Sequence, residues 1–377
     1  QRDRAVDPFW VSRQSLDAAS GALKPGCGWL PADWMPTEAL RRAFRGLARA
    51  EDAVLADYGA TRGSLALRRT LMARFADEGL DASPDQVLLT MSGTQAIDLI
   101  CRFLLRPGDT VLVDDPCYFN FRALLRAHQV KLVSVPYTPS GPDVASFEAV
   151  LEAERPRLYI TVSGLHNPTG ATMSPQTAHR VLNAATACDL TIVEDDIFAD
   201  FEPEPSARLA ALDGLNRVIR IGSFSKTLSA SLRCGFIAAR ADWIEQLVDL
   251  QVATGFGGPC AVATEIIASV LATGFYRKHV EELRRRLARA RRDVGEKLQR
   301  IGIEPWLMPR GGFQLWCRLP DGCDSADVAR AALADNIVLA PGNVFSTTQS
   351  ASGFMRFNVA QCRDPKLMPA LQRALGR

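Results

Sequence analysis

Between residues 86 and 240, short runs of β-branched and apolar residues alternate with amphipathic stretches, and this alternation restricts the chain more than any other feature. The runs cover 86–90, 110–114, 130–135, 157–163, 190–194, 217–223 and 234–239. Most are separated by segments with helical periodicity, at 94–105, 119–128, 144–154 and 175–188. Strands that are apolar on both faces and spaced by helices belong in a mostly parallel sheet covered on both sides. Pro107-Gly108-Asp109 and Asp115-Pro116 supply loop chemistry between such units. The expectation is an α/β chain with a large doubly wound, mostly parallel seven-stranded sheet. After about Gly274 the pattern changes. Residues 276–300 read as a long charged helix, 312–319 as a strand, 325–334 as a helix and 354–359 as a strand, which together make a small α+β unit. The N-terminal segment, with a helix near 37–50, has no core of its own and is expected to pack on that unit. A chain of 377 residues suits such a pair of domains. The division expected is a large domain over 46–280 and a small one built from 1–45 and 281–377.

Charge excludes some partners. The 44 basic and 42 acidic residues leave a net charge of +2, which gives no reason to expect this chain alone to bind nucleic acid or a membrane surface. The arginines of 276–300 are interspersed with Glu281, Glu282, Asp293 and Glu296, so they read as a solvated helix face. Nine cysteines form no CxxC pair, and several lie in apolar runs, which fits free buried thiols in a reducing cytoplasm. No two of the four histidines are spaced as a metal pair, so no metal is expected. No stretch reads as a membrane span or a signal peptide. The first residue is Gln1 rather than Met, from which a processed chain or a fragment of something longer is expected.

Five short motifs carry the candidate chemistry. Ser223-Phe224-Ser225-Lys226-Thr227-Leu228 follows an apolar run and is itself followed by Arg233-Cys234-Gly235. A Schiff-base lysine must lose its proton, and partial burial beside positive charge lowers its pKa. The serines and the arginine suit a phosphate dianion; the competing reading is an ordinary polar turn. Upstream, Glu194-Asp195-Asp196 ends a strand, where ligands of doubly wound sheets bind. A carboxylate there can keep a pyridine nitrogen protonated, or simply cap a helix. His166-Asn167-Pro168-Thr169-Gly170 is either a plain turn or part of the same site. Ser92-Gly93-Thr94-Gln95 opens a helix, whose free amides attract anions or are satisfied by local capping. Arg356, in Met355-Arg356-Phe357, is a charge on an apolar strand that needs a partner, either a substrate carboxylate or a structural acid.

Taken together and in this order, the motifs resemble those of the fold-type-I, class I/II aminotransferases, which use pyridoxal 5′-phosphate. The resemblance covers essentially the whole chain. It implies that Lys226 carries the cofactor as a Schiff base and shuttles the proton, that Asp195 pairs with the pyridine nitrogen, and that Asn167 donates to the ring 3-oxygen. It also implies that Tyr118 stacks on the ring, that Gly93, Thr94, Gln95, Ser223, Ser225 and Arg233 bind the phosphate, and that Arg356 binds the substrate carboxylate. Tyr58 would reach the phosphate of a neighbouring subunit, which requires a homodimer with shared active sites. One departure is Phe198, where the family has a tyrosine donating to the 3-oxygen. Leu65-Ala66-Leu67-Arg68-Arg69, Gly274-Phe275-Tyr276-Arg277-Lys278-His279 and Pro309-Arg310-Gly311-Gly312-Phe313 are most similar to the aminotransferase-like domain of MocR-type regulators of the GntR family. That similarity implies a sensing domain that takes an amino acid or amine, within a protein whose winged helix binds DNA; the alternative is a free-standing α-amino-acid aminotransferase.

Overall fold

The computed structural model describes residues 7–18 and 20–376. The seven expected strands are all present, as β1 (Val87–Thr90), β2 (Thr110–Asp115), β3 (Lys131–Thr138), β5 (Leu158–Thr161), β6 (Thr191–Asp195), β7 (Val218–Ser223) and β8 (Gly235–Ala238). A two-residue strand, β4 (Gly141–Pro142), adds an eighth at the edge, giving the order β1-β8-β7-β6-β5-β2-β3-β4. β7, β6, β5, β2 and β3 run parallel, while β8 is antiparallel to both β1 and β7. Strands β1, β5 and β8 are buried along their whole length, as expected for a sheet covered by helices on both faces.

The four parallel pairings point the carboxyl ends of β2, β5, β6 and β7 in one direction, and the ends of these strands and the loops that follow them carry Tyr118, Asn167, Asp195 and Lys226. At the near end, β8 begins against the turn before the helix Gly93–Leu104. A Cβ on Gly235 would sit 2.8 Å from the Ser92 carbonyl carbon and 2.9 Å from the Gly93 nitrogen, so only glycine allows that approach.

A second sheet is antiparallel, with β9 (Glu304–Pro305), β10 (Gln314–Arg318), β11 (Ala340–Pro341) and β12 (Phe354–Asn358) in the order β11-β12-β10-β9. Residues 23–29 are tied to it by backbone bonds, whereas the helix Thr37–Leu47, expected to pack there, buries Ala39 with Leu67 and Ile267 in the core of the larger domain. Leu23 bridges to Ile337, and the Asn358 nitrogen donates to the Pro25 carbonyl at 2.6 Å. The Asn358 amide then bonds the carbonyls of Cys27 (3.0 Å) and Trp29 (2.8 Å). Gly26 has no alternative, because its Cβ would lie 2.4 Å from the Ala340 nitrogen. The segment 23–29 is thereby held over the mouth of the larger sheet.

The helix Gly274–Arg300 joins the two sheets. Its buried face carries Tyr276, Val280, Leu283, Leu287, Val294 and Leu298, and its arginines mostly face out. Arg291 is the exception: it is buried and donates to the carbonyls of Gly312 (2.7 Å) and Arg310 (3.4 Å). Among the described residues no helix is long and apolar enough to cross a membrane.

Candidate active site

The strand ends and the segment 26–29 enclose a cavity of about 250 Å³. Of the residues singled out from sequence, Gly93, Thr94, Tyr118, Asn167, Asp195, Ser223, Ser225, Lys226, Arg233 and Arg356 line it. Gln95 does not. Its backbone nitrogen donates to the Ser92 hydroxyl at 2.9 Å, which caps the helix, and its side-chain oxygen accepts from the Met91 nitrogen at 2.6 Å, ahead of the helix. Tyr58 lies elsewhere on the surface, 79% exposed, with its ring 4.9 Å from that of Phe256.

Asp195 is the member of the acidic triplet that faces the cavity. Strand alternation sends its neighbours to other tasks. Glu194 accepts from the Ser163 hydroxyl and from the nitrogens of Leu209 (2.9 Å) and Ala210 (2.8 Å), capping the helix Leu209–Asp213. Asp196 pairs with Arg208 at 2.9 Å and Arg220 at 2.6 Å, and Arg208 also reaches Glu202 at 2.5 Å. Among the described residues, Asp195 itself receives only the Ile197 nitrogen, at 3.1 Å. Burial is the main reason its carboxyl is pushed up to about 7, with the charge of Asp196 adding to the effect.

Lys226 shows the opposite perturbation for the same reason. Burial, followed by the nearby Arg356 charge, lowers its ammonium to about 8. Its nitrogen donates to the Gly28 carbonyl at 2.6 Å. A lysine brought this close to neutral pH can be deprotonated and act as a nucleophile toward a carbonyl group.

Arg356 is 2% exposed, and burial lowers its guanidinium to about 10. It donates to Asn167 Oδ1 at 2.8 Å and to the Gly26 carbonyl at 2.8 Å, and it lies 4.7 Å from the Phe345 ring centre. Its Nε is buried with no partner. The bond to Asn167 Oδ1 also fixes that amide, leaving its NH2 as the end that can donate to a ligand.

The opposite end of the cavity is an anion cradle. The Gly93–Leu104 helix presents its N-terminus there, and a Cβ on Gly93 would lie 4.0 Å from that of Ser223. The Ser223 hydroxyl bonds Ser225 Oγ at 3.0 Å, and Arg233 lines the same wall with its backbone in the left-handed region at φ 48°. A non-glycine residue in that region costs about 1 kcal/mol or more and marks a position that the surroundings enforce. Tyr118 packs edge-on against Phe121 at 5.4 Å and covers the cavity from the side.

Sequence reasoning missed two parts of this wall. One is the segment 26–28, whose carbonyls receive Lys226 and Arg356. The other is the helix Pro8–Asp17, which contributes Val11, Ser12, Ser15 and Leu16 to the cavity. Its start was readable: the Asp7 side chain accepts from the nitrogens of Phe9 and Trp10, and Pro8 occupies the first turn.

Behind the lysine runs a further network. Thr227 shares a hydrogen bond with the Tyr276 hydroxyl (2.7 Å), and its carbonyl accepts from His279 Nε2 (3.0 Å). Tyr276 also donates to Asp200, which pairs with Arg74 and whose carbonyl accepts from Arg284 at 2.8 Å.

The profile of the aminotransferase class I and II family matches residues 30–373. The chain belongs to that family. The uncharacterized HTH-type transcriptional regulator YdcR of Escherichia coli is 29% identical over 368 residues, covering 95% of this chain and 78% of that protein. Aromatic-amino-acid aminotransferase 1 of Thermococcus litoralis is also 29% identical, over 92% of this chain and 85% of that enzyme. The crystal structure of LysN, an α-aminoadipate aminotransferase of Thermus thermophilus, complexed with N-(5′-phosphopyridoxyl)-L-leucine, superposes with a TM-score of 0.88. It is 27% identical, and the match covers 97% of this chain and 94% of that one. Pyridoxal 5′-phosphate, the cofactor of the class I/II aminotransferases, fits the residues present. They offer a lysine that can be neutral, an acid opposite it, an anion cradle, and a buried guanidinium with an orphaned N–H.

Proposed function

We propose that this class I/II aminotransferase domain is the ligand-sensing unit of a GntR/MocR-type transcriptional regulator, and that it reads an amino acid or amine through pyridoxal 5′-phosphate held on Lys226. The observation that carries the reading is the cavity in which a lysine of lowered pKa, a buried aspartate of raised pKa and a buried arginine with a free N–H among the described residues face one another. When bound, the cofactor supplies an electron sink for bond breaking at the amino-acid α-carbon. The chain's own residues do the rest. Lys226 attaches the group and moves the proton at its Nζ. Asp195 holds a proton at the pyridine nitrogen, Asn167 donates its NH2 to the ring 3-oxygen, and Tyr118 covers the ring. Gly93, Thr94, Ser223, Ser225 and Arg233, with Gln95 in the first turn of the helix beside them, form the phosphate end, and Arg356 takes the α-carboxylate.

Phe198 favours sensing over rapid turnover. It is buried against Phe313 (5.8 Å) and Phe201 (6.2 Å), and it offers no hydroxyl to the 3-oxygen. The similarity to an HTH-type regulator supports the same choice. A free-standing aminotransferase is the second reading, supported by equal identity to an aromatic-amino-acid aminotransferase. We also infer a cytoplasmic homodimer in which Tyr58 reaches the partner's phosphate end; the exposed Leu55, Tyr58 and Phe256 supply an apolar face for it. The bonds from segment 23–29 to the small sheet support a division into a 46–280 domain and a domain of 1–45 with 281–377.

Borohydride reduction of the loaded protein followed by peptide mapping tests the cofactor reading. The label is expected on Lys226, and label on any other lysine refutes it. Mixing the loaded protein with amino acid and oxo acid then separates the two functions, because a sensor changes its visible spectrum without multiple turnovers.

A further inference from the structure

We propose that the side-chain end of this site takes α-amino acids with uncharged, apolar side chains, aliphatic or aromatic, and excludes dicarboxylic and basic ones. This rests on the reading of the cavity as an amino-acid site.

The argument is an accounting of charge. Among the described residues lining the cavity, the charged ones are Asp195, Lys226, Arg233 and Arg356. The first three are engaged by the cofactor and Arg356 by the α-carboxylate, so neither a cation nor an anion remains for a charge at the far end of a side chain. The wall that remains is built by the helix Pro8–Asp17 facing Trp29, Phe119 and Leu124. Its Ser12 hydroxyl already donates to the Pro8 carbonyl at 2.9 Å, so it presents little free polarity. The helix does contain a cation, Arg13, but its side chain is 81% exposed and lies 4.0 Å from Asp17. Two other polar side chains lie on this side, both neutral: Asn120, whose amide bonds the Thr94 hydroxyl at 3.5 Å, and the buried Ser15 hydroxyl. A second copy of the chain brings no free cation with the loop that carries Tyr58, because Arg62 of that loop is paired with Glu245.

An ionised group driven into such a wall loses water and gains no partner. A carboxylate or ammonium side chain should therefore bind at least about 30-fold more weakly than an isosteric neutral one.

The test uses the full chain loaded with pyridoxal 5′-phosphate, titrated separately with L-leucine, L-phenylalanine, L-glutamate and L-lysine. Binding is read from the change in visible absorbance and, in parallel, from the thermal midpoint. Leucine or phenylalanine should saturate at least about 30-fold below glutamate and lysine. Glutamate or lysine binding as tightly as leucine overturns the proposal. If none of the four perturbs a fully loaded protein, the amino-acid reading itself fails, which is a different result from glutamate winning. Ser12→Arg places a cation on the wall and should improve glutamate relative to leucine by about 10-fold or more. A loaded, folded variant with an unchanged ratio shows that this helix does not face the side chain, and overturns the assignment.

Discussion

Asp195 carries a burden in the cofactor-free protein that it sheds on loading, and replacing it with asparagine exposes that burden. An ordinary aspartate sits at 3.8, whereas burial pushes this one up to about 7. A carboxyl whose folded value is raised costs nothing below its unfolded value, and its cost grows as pH rises until the folded value is passed. At pH 5 the penalty is about 1.5 kcal/mol, and at pH 8 it reaches about 4 kcal/mol. Asp195→Asn keeps an oxygen for the Ile197 N–H and has no charge to desolvate. The cofactor-free variant should therefore be more stable than the cofactor-free wild type, with the gap widening by about 2–3 kcal/mol between pH 5 and pH 8. Lys226, lowered to about 8 in the wild type, loses in the variant the Asp195 charge that raises it, so its value falls further there. Urea unfolding of both proteins at pH 5, 6, 7 and 8 measures the effect. Parallel pH profiles would refute the reasoning, since they would mean that Asp195 is ionised at the same pH folded and unfolded. With cofactor bound the order should reverse, because a protonated ring nitrogen supplies the partner that the empty cavity lacks.

Three further outcomes follow from the same geometry. Phe198→Tyr should add a donor to the ring 3-oxygen and ease loss of the Lys226 proton, so the visible pH titration of the loaded protein should move down by roughly one pH unit; an unchanged or higher midpoint would mean that position 198 does not reach that oxygen. Arg208→Met should leave the buried Glu202 carboxylate without its cation and Asp196 with Arg220 alone, and destabilise the fold by about 3–5 kcal/mol in urea, and a loss under about 1 kcal/mol would contradict the pairing. Sedimentation at micromolar concentration should find a dimer, and a monomer with its cofactor fully retained would rule out the role of Tyr58.

Much of this was legible in the sequence because short apolar runs in a covered sheet have few other places to go. The run 157–163 was read too long. Val162 and Ser163 leave β5, one to line the cavity and the other to bond Glu194, and both are buried as thoroughly as strand residues. The direction of β8 left no trace, since periodicity is the same in parallel and antiparallel strands. β4, β9 and β11 are two residues each and carry no period at all. The motifs gave most of the cavity lining because all but Arg356, which lies mid-strand in β12, sit at or just past a strand end, where the fold alone decides what meets what. That the Gln95 side chain turns back to the Met91 nitrogen was not legible, because an amide side chain has the same sequence signature whichever way it points. The contribution of segment 26–28 was hidden because it acts through carbonyls, which every residue has.

The bonds behind Lys226 bear on how anything sensed in the cavity becomes motion. Thr227 is tied through both its hydroxyl and its carbonyl to the first turns of the 27-residue helix Gly274–Arg300. Further along, that helix grips the approach to β10 through Arg291. A helix of this length is a stiff rod of about 40 Å, held at one end by the cofactor-bearing loop and near the other by the small sheet. A displacement of the Lys226 loop larger than those two bonds can absorb either breaks them or carries the rod with it. The loop of Lys226 and the small sheet are thus coupled through a single helix.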